Sequence, residues 1–467
     1  MTSLHDFTAV EQRDLLQAGE LKPADLVSHY LDRIGEWNDT LGALITVDAE
    51  TAIRRASNPK GLPRGGLWGL PYAEKDLWDR AGVVTTYGSR RYETHRPTAS
   101  GELVQVLDDA GGISVGRTNT SEFGFSCYTE NAVGPTSRCP YDLTCGPGGS
   151  SGGAAAAVAA GLIPVAPASD GGGSIRIPAA VNGLVGIKPS RGRVPAGAGF
   201  GLGGLSVPGP IARTVGDAAM LLDVLAAGGS YEFATRSPGG LGPFLSSVVP
   251  GGRQFRIGVT TTSPWDTAYD LHLDSDATDA LEVGINALAS ADHQVEEFAF
   301  GPAPEYPSAF RTIWQASAAG LDVEGAQLEL LEPLTRWLVQ EGRRLSARDL
   351  AGALGALVEY ERRTIRSMSG FDAILTPALA QSPRPLGWFS TNDPEVNFEQ
   401  QCRYTPFTSF ANACGLPAIS LPVHMTADGL PMGVQLVGQP GGENTLIAIG
   451  ADLELRLRWH VAHPPQW

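Results

Sequence analysis

Two serine clusters, each embedded in glycine, stand close together between Gly146 and Pro178, and they restrict the fold more than any other stretch. The first reads Gly146-Pro147-Gly148-Gly149-Ser150-Ser151-Gly152-Gly153. The second reads Asp170-Gly171-Gly172-Gly173-Ser174-Ile175-Arg176-Ile177-Pro178. Glycine lacks a Cβ, so such runs turn sharply and admit close neighbours, and they are penalised inside a helix or strand. An Ala-rich segment between them reads as a short helix, Gly152 to Ala160. Two loops held side by side in this way form a site from backbone N–H groups and serine hydroxyls.

Elsewhere the pattern is α/β. Residues 9–36 read as amphipathic helices, and Ala49 to Ala56 as another. Gly69 and Pro71 mark a turn before a short strand carrying Lys75. Ser100 to Ala110 reads as a capped helix and Gly112 to Gly116 as a buried strand. The segment 117–131 is a polar-aromatic loop. Ala179 to Lys188 is small and apolar, 192–210 reads as Gly/Pro-rich loop, and Thr214 to Ala227 as helix.

Residues 228–252, rich in Gly, Ser and Pro, are the best candidate for a subdomain boundary. Beyond them, Arg256 to Val259, Asp276 to Ala291 and Val295 to Phe298 form a βαβ-like unit. Ala309 to Leu331 and Leu345 to Met368 read as helices, and Phe371 to Leu375 as a strand. Residues 416–422 and 432–437 are strands around an Asp428-Gly429 turn. A helix over Glu443 to Leu457 follows.

Composition excludes several function classes. Asp and Glu total 50 against 34 Lys and Arg, a net charge of −16. Nucleic acid and anionic membrane call for a basic surface instead. The longest low-charge run, Ala154 to Ser169, is broken by Gly161, Pro164 and Pro167 and is a poor membrane span. The N-terminal residues carry no basic region followed by an apolar core, so no signal peptide is expected. Five scattered cysteines fit reduced thiols in a cytoplasmic protein. Cys139 and Cys145 have no nearby Cys/His pair, so no metal site is expected.

Three chemistries compete for the serine clusters. A phosphate-binding P-loop needs Gly-x-x-x-x-Gly-Lys-Ser/Thr, which is absent, and the dinucleotide fingerprint fails at its third glycine. An α/β-hydrolase elbow is formally matched at Gly148 to Gly152. It requires a strand directly before the serine, and residues 141–147 read as loop. It also needs a downstream histidine, and His272, His293, His424, His460 and His463 all lack a distinctive setting.

The third reading combines Lys75, Ser150 and Ser174. Serine needs a base. Lysine serves when neutral, and burial lowers its pKa by disfavouring the charged form. The N–H groups of the glycines before Ser174 would converge on a developing oxyanion, each donor worth about 2.7–4 kcal/mol.

These strings resemble the amidase signature family of serine hydrolases. The resemblance rests on Gly69-Leu70-Pro71 leading to Lys75-Asp76, and on both serine strings, whose serines lie 24 positions apart. Asn412 to Ala418 and Gly429 to Gln435 add to it, and it runs from about Leu15 to Leu457. It implies one large α/β domain spanning 1–467, a twisted mixed β-sheet with helices on both faces. The motif-bearing core would lie at 60–227 and a variable, substrate-shaping region at about 253–400.

The resemblance further implies a Ser–cis-Ser–Lys triad with Ser174 as nucleophile, Ser150 as relay after a cis peptide, and Lys75 as base. Gly171, Gly172, Gly173 and Ser174 would form the oxyanion hole. Phe125, Ser126 and Cys127 would line the acyl pocket, with Trp314, Trp337, Trp388 and Phe389 as further candidates. Asp170 and Arg176 read as a structural pair, and Asp76 as a structural carboxylate. Glu74, where an apolar residue is usual, would raise the Lys75 pKa if it pointed inward; strand alternation turns it away.

The activity implied is hydrolysis of a linear amide through an acyl-enzyme, without cofactor. The expected partner is a small-molecule amide, with neither nucleic acid nor membrane, and a homodimer is a frequent assembly in such families. A glutamine-dependent transamidation subunit is the nearest alternative, although 197–210 does not match that subgroup. A non-catalytic binding protein on the same fold is the alternative from another class.

Overall fold

A computed structural model describes residues 3–195, 201–227 and 242–467. Helix α1 (Ala9–Ala18) opens with a Thr8/Glu11 capping box and stops at Gly19, and α2 (Pro23–Leu41) has proline in its first turn. These are the amphipathic helices expected over 9–36, the second running on to Leu41. Then come β1 (Leu44–Val47), α3 (Ala49–Ala56), β2 (Pro71–Lys75), α4 (Glu102–Asp109) and β3 (Ile113–Thr118). These strands form a small sheet in the order β1-β3-β2, with β2 and β3 parallel and joined through α4. Lys75 is the last residue of β2, opposite Thr118.

The second sheet has eight strands. Helix α5 (Gly152–Ala159) leads into β4 (Val165–Asp170), α6 (Arg176–Val181), β5 (Val185–Lys188), β6 (Val207–Ala212) and α7 (Val215–Ala227). A parallel βαβ unit follows, β7 (Arg256–Val259), α8 (Ser275–Ser290) and β8 (Gln294–Glu297). Helices α9 (Tyr306–Ala319), α10 (Pro333–Gly342) and α11 (Ala347–Met368) precede β9 (Ala373–Pro377). Helices α12 (Pro394–Tyr404) and α13 (Ser409–Ala413) lead to the hairpin β10 (Ala418–Met425) and β11 (Pro431–Gly438), and then to α14 (Glu443–Leu457).

The strand order is β4-β6-β5-β10-β11-β9-β7-β8. Pairing is antiparallel from β4 to β9 and parallel from β9 to β8, a mixed sheet. Helices cover both faces. On β11, a Cβ at Gly433 would meet Ala180 of α6, whereas its neighbour Val434 packs against Gly284 of α8. Adjacent residues of a strand point to opposite faces, so α6 and α8 lie on opposite sides.

Two local expectations, the loop over 192–210 and the helix over 309–331, need correction, and two unassigned segments resolve into elements. Residues 207–212 are a strand, not loop, and 165–170 are a strand inside the low-charge run. Proline hid both. Pro167 sits on the edge strand β4, and the β5–β6 pairing covers only Ala212 and Ile211, so Pro208 and Pro210 lie beyond it. Helix α9 ends at Ala319 with Gly320 following, and only a 3-10 turn, Gly325–Leu330, forms further on. The apolar stretch after Ala179 divides into the end of α6 and β5 around Gly183, which adopts φ +66°. The boundary expected over 228–252 falls largely outside the described residues.

Candidate active site

The end of β2 and the two serine loops meet between the sheets. Lys75 is fully buried, and its Nζ lies 2.8 Å from Ser150 Oγ, 2.8 Å from Ser151 Oγ and 3.1 Å from Ser169 Oγ. Burial pulls its pKa down to about 7, opposed in part by the Asp170 carboxylate. Glu74 points the other way, as strand alternation predicts. It accepts from Ser114 Oγ at 2.6 Å and pairs with Arg80, and Arg117 Nη1 lies 3.7 Å away.

Asp76 accepts from Arg117 Nε at 2.6 Å and from the Thr86 N–H. Burial raises its pKa even so, against the Arg117 charge and the Thr86 bonds. It ties the segment after β2 to β3.

Hydroxyl bookkeeping gives the lysine cluster a direction. Ser151 Oγ donates to the Ser169 carbonyl at 3.4 Å, so toward Lys75 it acts as acceptor. A neutral Lys75 has two N–H bonds, which Ser151 and Ser169 can take. Its lone pair is then left for the Ser150 O–H.

The first serine loop is shaped by close approach. The Gly149–Ser150 peptide is cis, and a Cβ on Gly149 would sit 2.6 Å from the Tyr128 backbone. Thr129 Oγ1 donates to the Gly148 carbonyl at 2.8 Å and accepts from the Gly152 N–H at 3.2 Å. These contacts fasten the loop to the polar-aromatic segment 121–129.

The second loop hangs on Asp170 and Arg176, both fully buried. Arg176 donates to Asp170 through Nε (2.9 Å) and Nη2 (2.8 Å), and also to Asn412 Oδ1, Gln435 Oε1 and the Thr408 carbonyl. Burial alone would raise the Asp170 pKa, but the Arg176 charge and its hydrogen bonds outweigh it and hold the carboxyl at about 2. The expected structural pair is thus present, with Asn412 and Gln435 completing it.

One part of the expected donor set is occupied. The Gly173 N–H donates to Asp170 Oδ1 at 2.8 Å. Gly173 adopts φ +140°, and a Cβ there would meet Thr408 Oγ1 at 2.5 Å, so only glycine fits. The N–H groups of Gly171, Gly172 and Ser174 have no acceptor among the described residues. Three of the four expected donors thus have no acceptor among the described residues, and the fourth holds the loop to Asp170.

Ser174 stands between two cavities. One, of about 490 Å³, is lined by Phe125, Ser126 and Cys127 together with Trp265, Phe310, Trp314, Phe398, Gln401, Cys402, Thr405 and Ser409. The other, of about 640 Å³, is lined by Ser150, Ser169, Ser206 and Ser317 with Leu77, Phe123, Leu202 and Leu205. Phe125, Trp314 and Ser174 belong to both walls. The three acyl-pocket candidates thus sit together, and Trp314 joins them through an edge contact with Phe125 and a 3.3 Å bond to its carbonyl.

Trp337, Trp388 and Phe389 line neither cavity. Trp337 packs behind Phe398, and the other two cluster with Tyr404. Ser151 and Ser169 were missed as lysine partners, although both lie within the quoted strings or directly beside them. Trp265, Phe310, Phe398 and Ser409 carried no local signal.

Comparisons with known proteins bear on the family and the fold. The Amidase family model matches residues 25–447. A Mycobacterium tuberculosis protein carrying the provisional name amidase AmiB2 is 35% identical over 470 residues, covering 98% of this chain and 97% of that one. Among solved structures, a 6-aminohexanoate cyclic dimer hydrolase superposes with a TM-score of 0.90 at 28% identity, covering 99% of each chain. A bacterial aryl acylamidase of the amidase signature enzymes gives 0.87 at 26% identity, covering 98% of each chain. No helix among the described residues is long and apolar enough to cross a membrane. A family match over most of the length, on a mixed α/β fold shared with amidase signature enzymes, places this chain in the amidase family as a hydrolase of amides.

Proposed function

We propose that the chain hydrolyses a linear amide to acid and amine through an acyl-enzyme on Ser174, with Lys75 as base and Ser150 as relay. The observation that carries this reading is the buried Lys75 Nζ, 2.8 Å from Ser150 Oγ, with its pKa drawn to about 7. At neutral pH a large fraction of such a lysine is unprotonated, whereas an ordinary one of pKa about 10.4 is almost wholly charged.

The hydrogen bonds around Lys75 support the Ser150-to-lysine step, and the cavity that Ser174 shares with Ser150 supports the step before it. Ser174 Oγ attacks the amide carbonyl, its proton passes to Ser150 Oγ, and the Ser150 proton passes to the Lys75 lone pair. The carbonyl oxygen becomes an oxyanion facing the N–H groups of Gly171, Gly172 and Ser174. The relay then runs backward and protonates the departing nitrogen. Water repeats the cycle on the ester and releases the acid.

The two cavities divide the substrate. Ser150, the proton donor to the leaving nitrogen, lines only the serine-rich cavity, so the amine lies there. The acyl group occupies the aromatic chamber of Phe125, Ser126 and Cys127.

The test is active-site labelling with a fluorophosphonate, located by mass spectrometry, alongside hydrolysis of an amide panel. The label is expected on Ser174 and absent from Ser174→Ala, together with loss of turnover. Labelling of the variant, or a label on another residue, overturns the assignment.

A further inference from the structure

One polar atom in the aromatic chamber has its direction fixed by its neighbours. Ser409, the first residue of α13, is buried and lines the chamber together with Ser174. Its Oγ accepts from Trp265 Nε1 at 3.0 Å and from the Tyr306 hydroxyl at 2.9 Å. A serine oxygen has two lone pairs and one proton.

An indole N–H can only donate, so Trp265 takes one lone pair. Tyr306 is fully buried, and Ser409 is the sole partner of its hydroxyl among the described residues. Reversing that bond would strand a buried phenol proton, which is costly. Both lone pairs of Ser409 are therefore taken. Its own O–H has no protein acceptor among the described residues, and the chamber is the cavity that Ser409 lines.

Apart from Ser174, the proposed nucleophile, the other hydroxyls of the chamber are committed elsewhere. Ser126 donates to the Tyr128 carbonyl at 2.9 Å, and Thr405 to the Gln401 carbonyl at 3.0 Å. Among the described residues no Lys, Arg, Asp or Glu lines the chamber, so a charged acyl group would lose its hydration without gaining a counter-charge there.

We infer that Ser409 is a specificity-determining hydrogen-bond donor of the chamber, which selects uncharged, largely aromatic or hydrocarbon acyl groups bearing one hydrogen-bond acceptor such as an ether or ketone oxygen. The inference rests on the proposed function only for calling this the acyl side. An acyl group without the acceptor leaves the Ser409 proton unpaired when it displaces water. That disadvantage corresponds to about tenfold in binding and in kcat/KM.

The experiment uses matched anilides that differ only by an ether oxygen in place of a methylene, with the oxygen moved stepwise along the acyl chain. Turnover is measured with the wild-type chain and binding by calorimetry with Ser174→Ala. At one oxygen position the ether is expected to win by about tenfold, and in Ser409→Ala the preference falls to within about twofold. Tyr306→Phe returns a lone pair to Ser409, so alcohols should gain on ethers in that variant even if Ser409→Ala fails to fold.

Equal binding of ether and hydrocarbon at every position, no binding by any pair, or an undiminished preference in Ser409→Ala overturns the inference. A calorimetric preference with no turnover of any pair sinks the serine-hydrolase reading instead and leaves the role of Ser409 standing.

Discussion

Two lysines in this protein are equally buried and equally perturbed, yet they stand in different chemistry. Lys75 and Lys188 both have no exposed surface, and burial draws each to about 7. Lys75 ends on three serine hydroxyls, and two of these serines, Ser150 and Ser169, line a cavity. Lys188, at the end of β5, donates only to the Pro189 carbonyl among the described residues and lines neither cavity at Ser174. Beyond burial, its ammonium is further disfavoured by Arg176 and Arg191 and favoured by Asp170 and Glu443. A shifted pKa therefore marks burial. A site also needs a partner that can exchange the proton and a space for the reactant.

The largest expected effect separates the two lysines directly. Lys75→Met should cut kcat/KM for amide hydrolysis by about 10³-fold, within the usual range for loss of an acid–base group. Lys188→Met should change it by less than about threefold. Steady-state kinetics on both variants checks this, and equal losses would dissolve the contrast.

Next in size is the pair that lies close to both lysines. Arg176→Gln leaves the buried Asp170 carboxylate without its charge partner, which should cost about 3–5 kcal/mol of stability. Urea unfolding measures it. The Gly171–Ser174 loop should loosen as well, so kcat should fall in the fraction that stays folded.

The pH profile sharpens the comparison further. Lys75 must be neutral to accept a proton, so kcat/KM should fall about tenfold per pH unit below about 7 and level off above it. Lys188→Met should keep this limb, because the limb belongs to Lys75. A limb that moves with Lys188 would join the two regions into one titrating unit.

The smallest effect is on stability. Each folded pKa of about 7 lies below the ordinary value of 10.5, so the unfolded chain binds more protons between these values. The cost of burying each ammonium is full below pH 7 and disappears as pH rises toward 10.5. Lys188→Met should therefore stabilise the fold by about 1 kcal/mol or more at pH 6 and by less at pH 9.5. Denaturation midpoints at the two pH values give the difference.

Much of the candidate site was legible because it is written in local strings. Glycine at 149 and 173 answers a backbone need, close approach to Tyr128 in one case and a φ of +140° in the other. Such needs depend on a few consecutive residues. The turn at Gly69 and Pro71 before β2, and the alternation of Glu74 and Lys75, are local in the same sense. The prolines of β4 and β6 misled because an edge position and a short ladder, both products of sheet pairing, make them tolerable.

The sequence by itself determined the fold class, the lysine and the two serine loops. Only the tertiary structure decided what surrounds them. It brought Ser169 to Lys75, committed the Gly173 N–H to Asp170, and gathered Trp265, Phe310, Trp314, Phe398 and Ser409 into one chamber beside Ser174. The physical reason is the range of the interaction. A glycine or a cap acts on its own few residues, whereas a cavity wall forms from segments far apart in the chain. In sequence, an aromatic residue of the chamber is indistinguishable from one such as Trp388, which packs instead in a separate cluster.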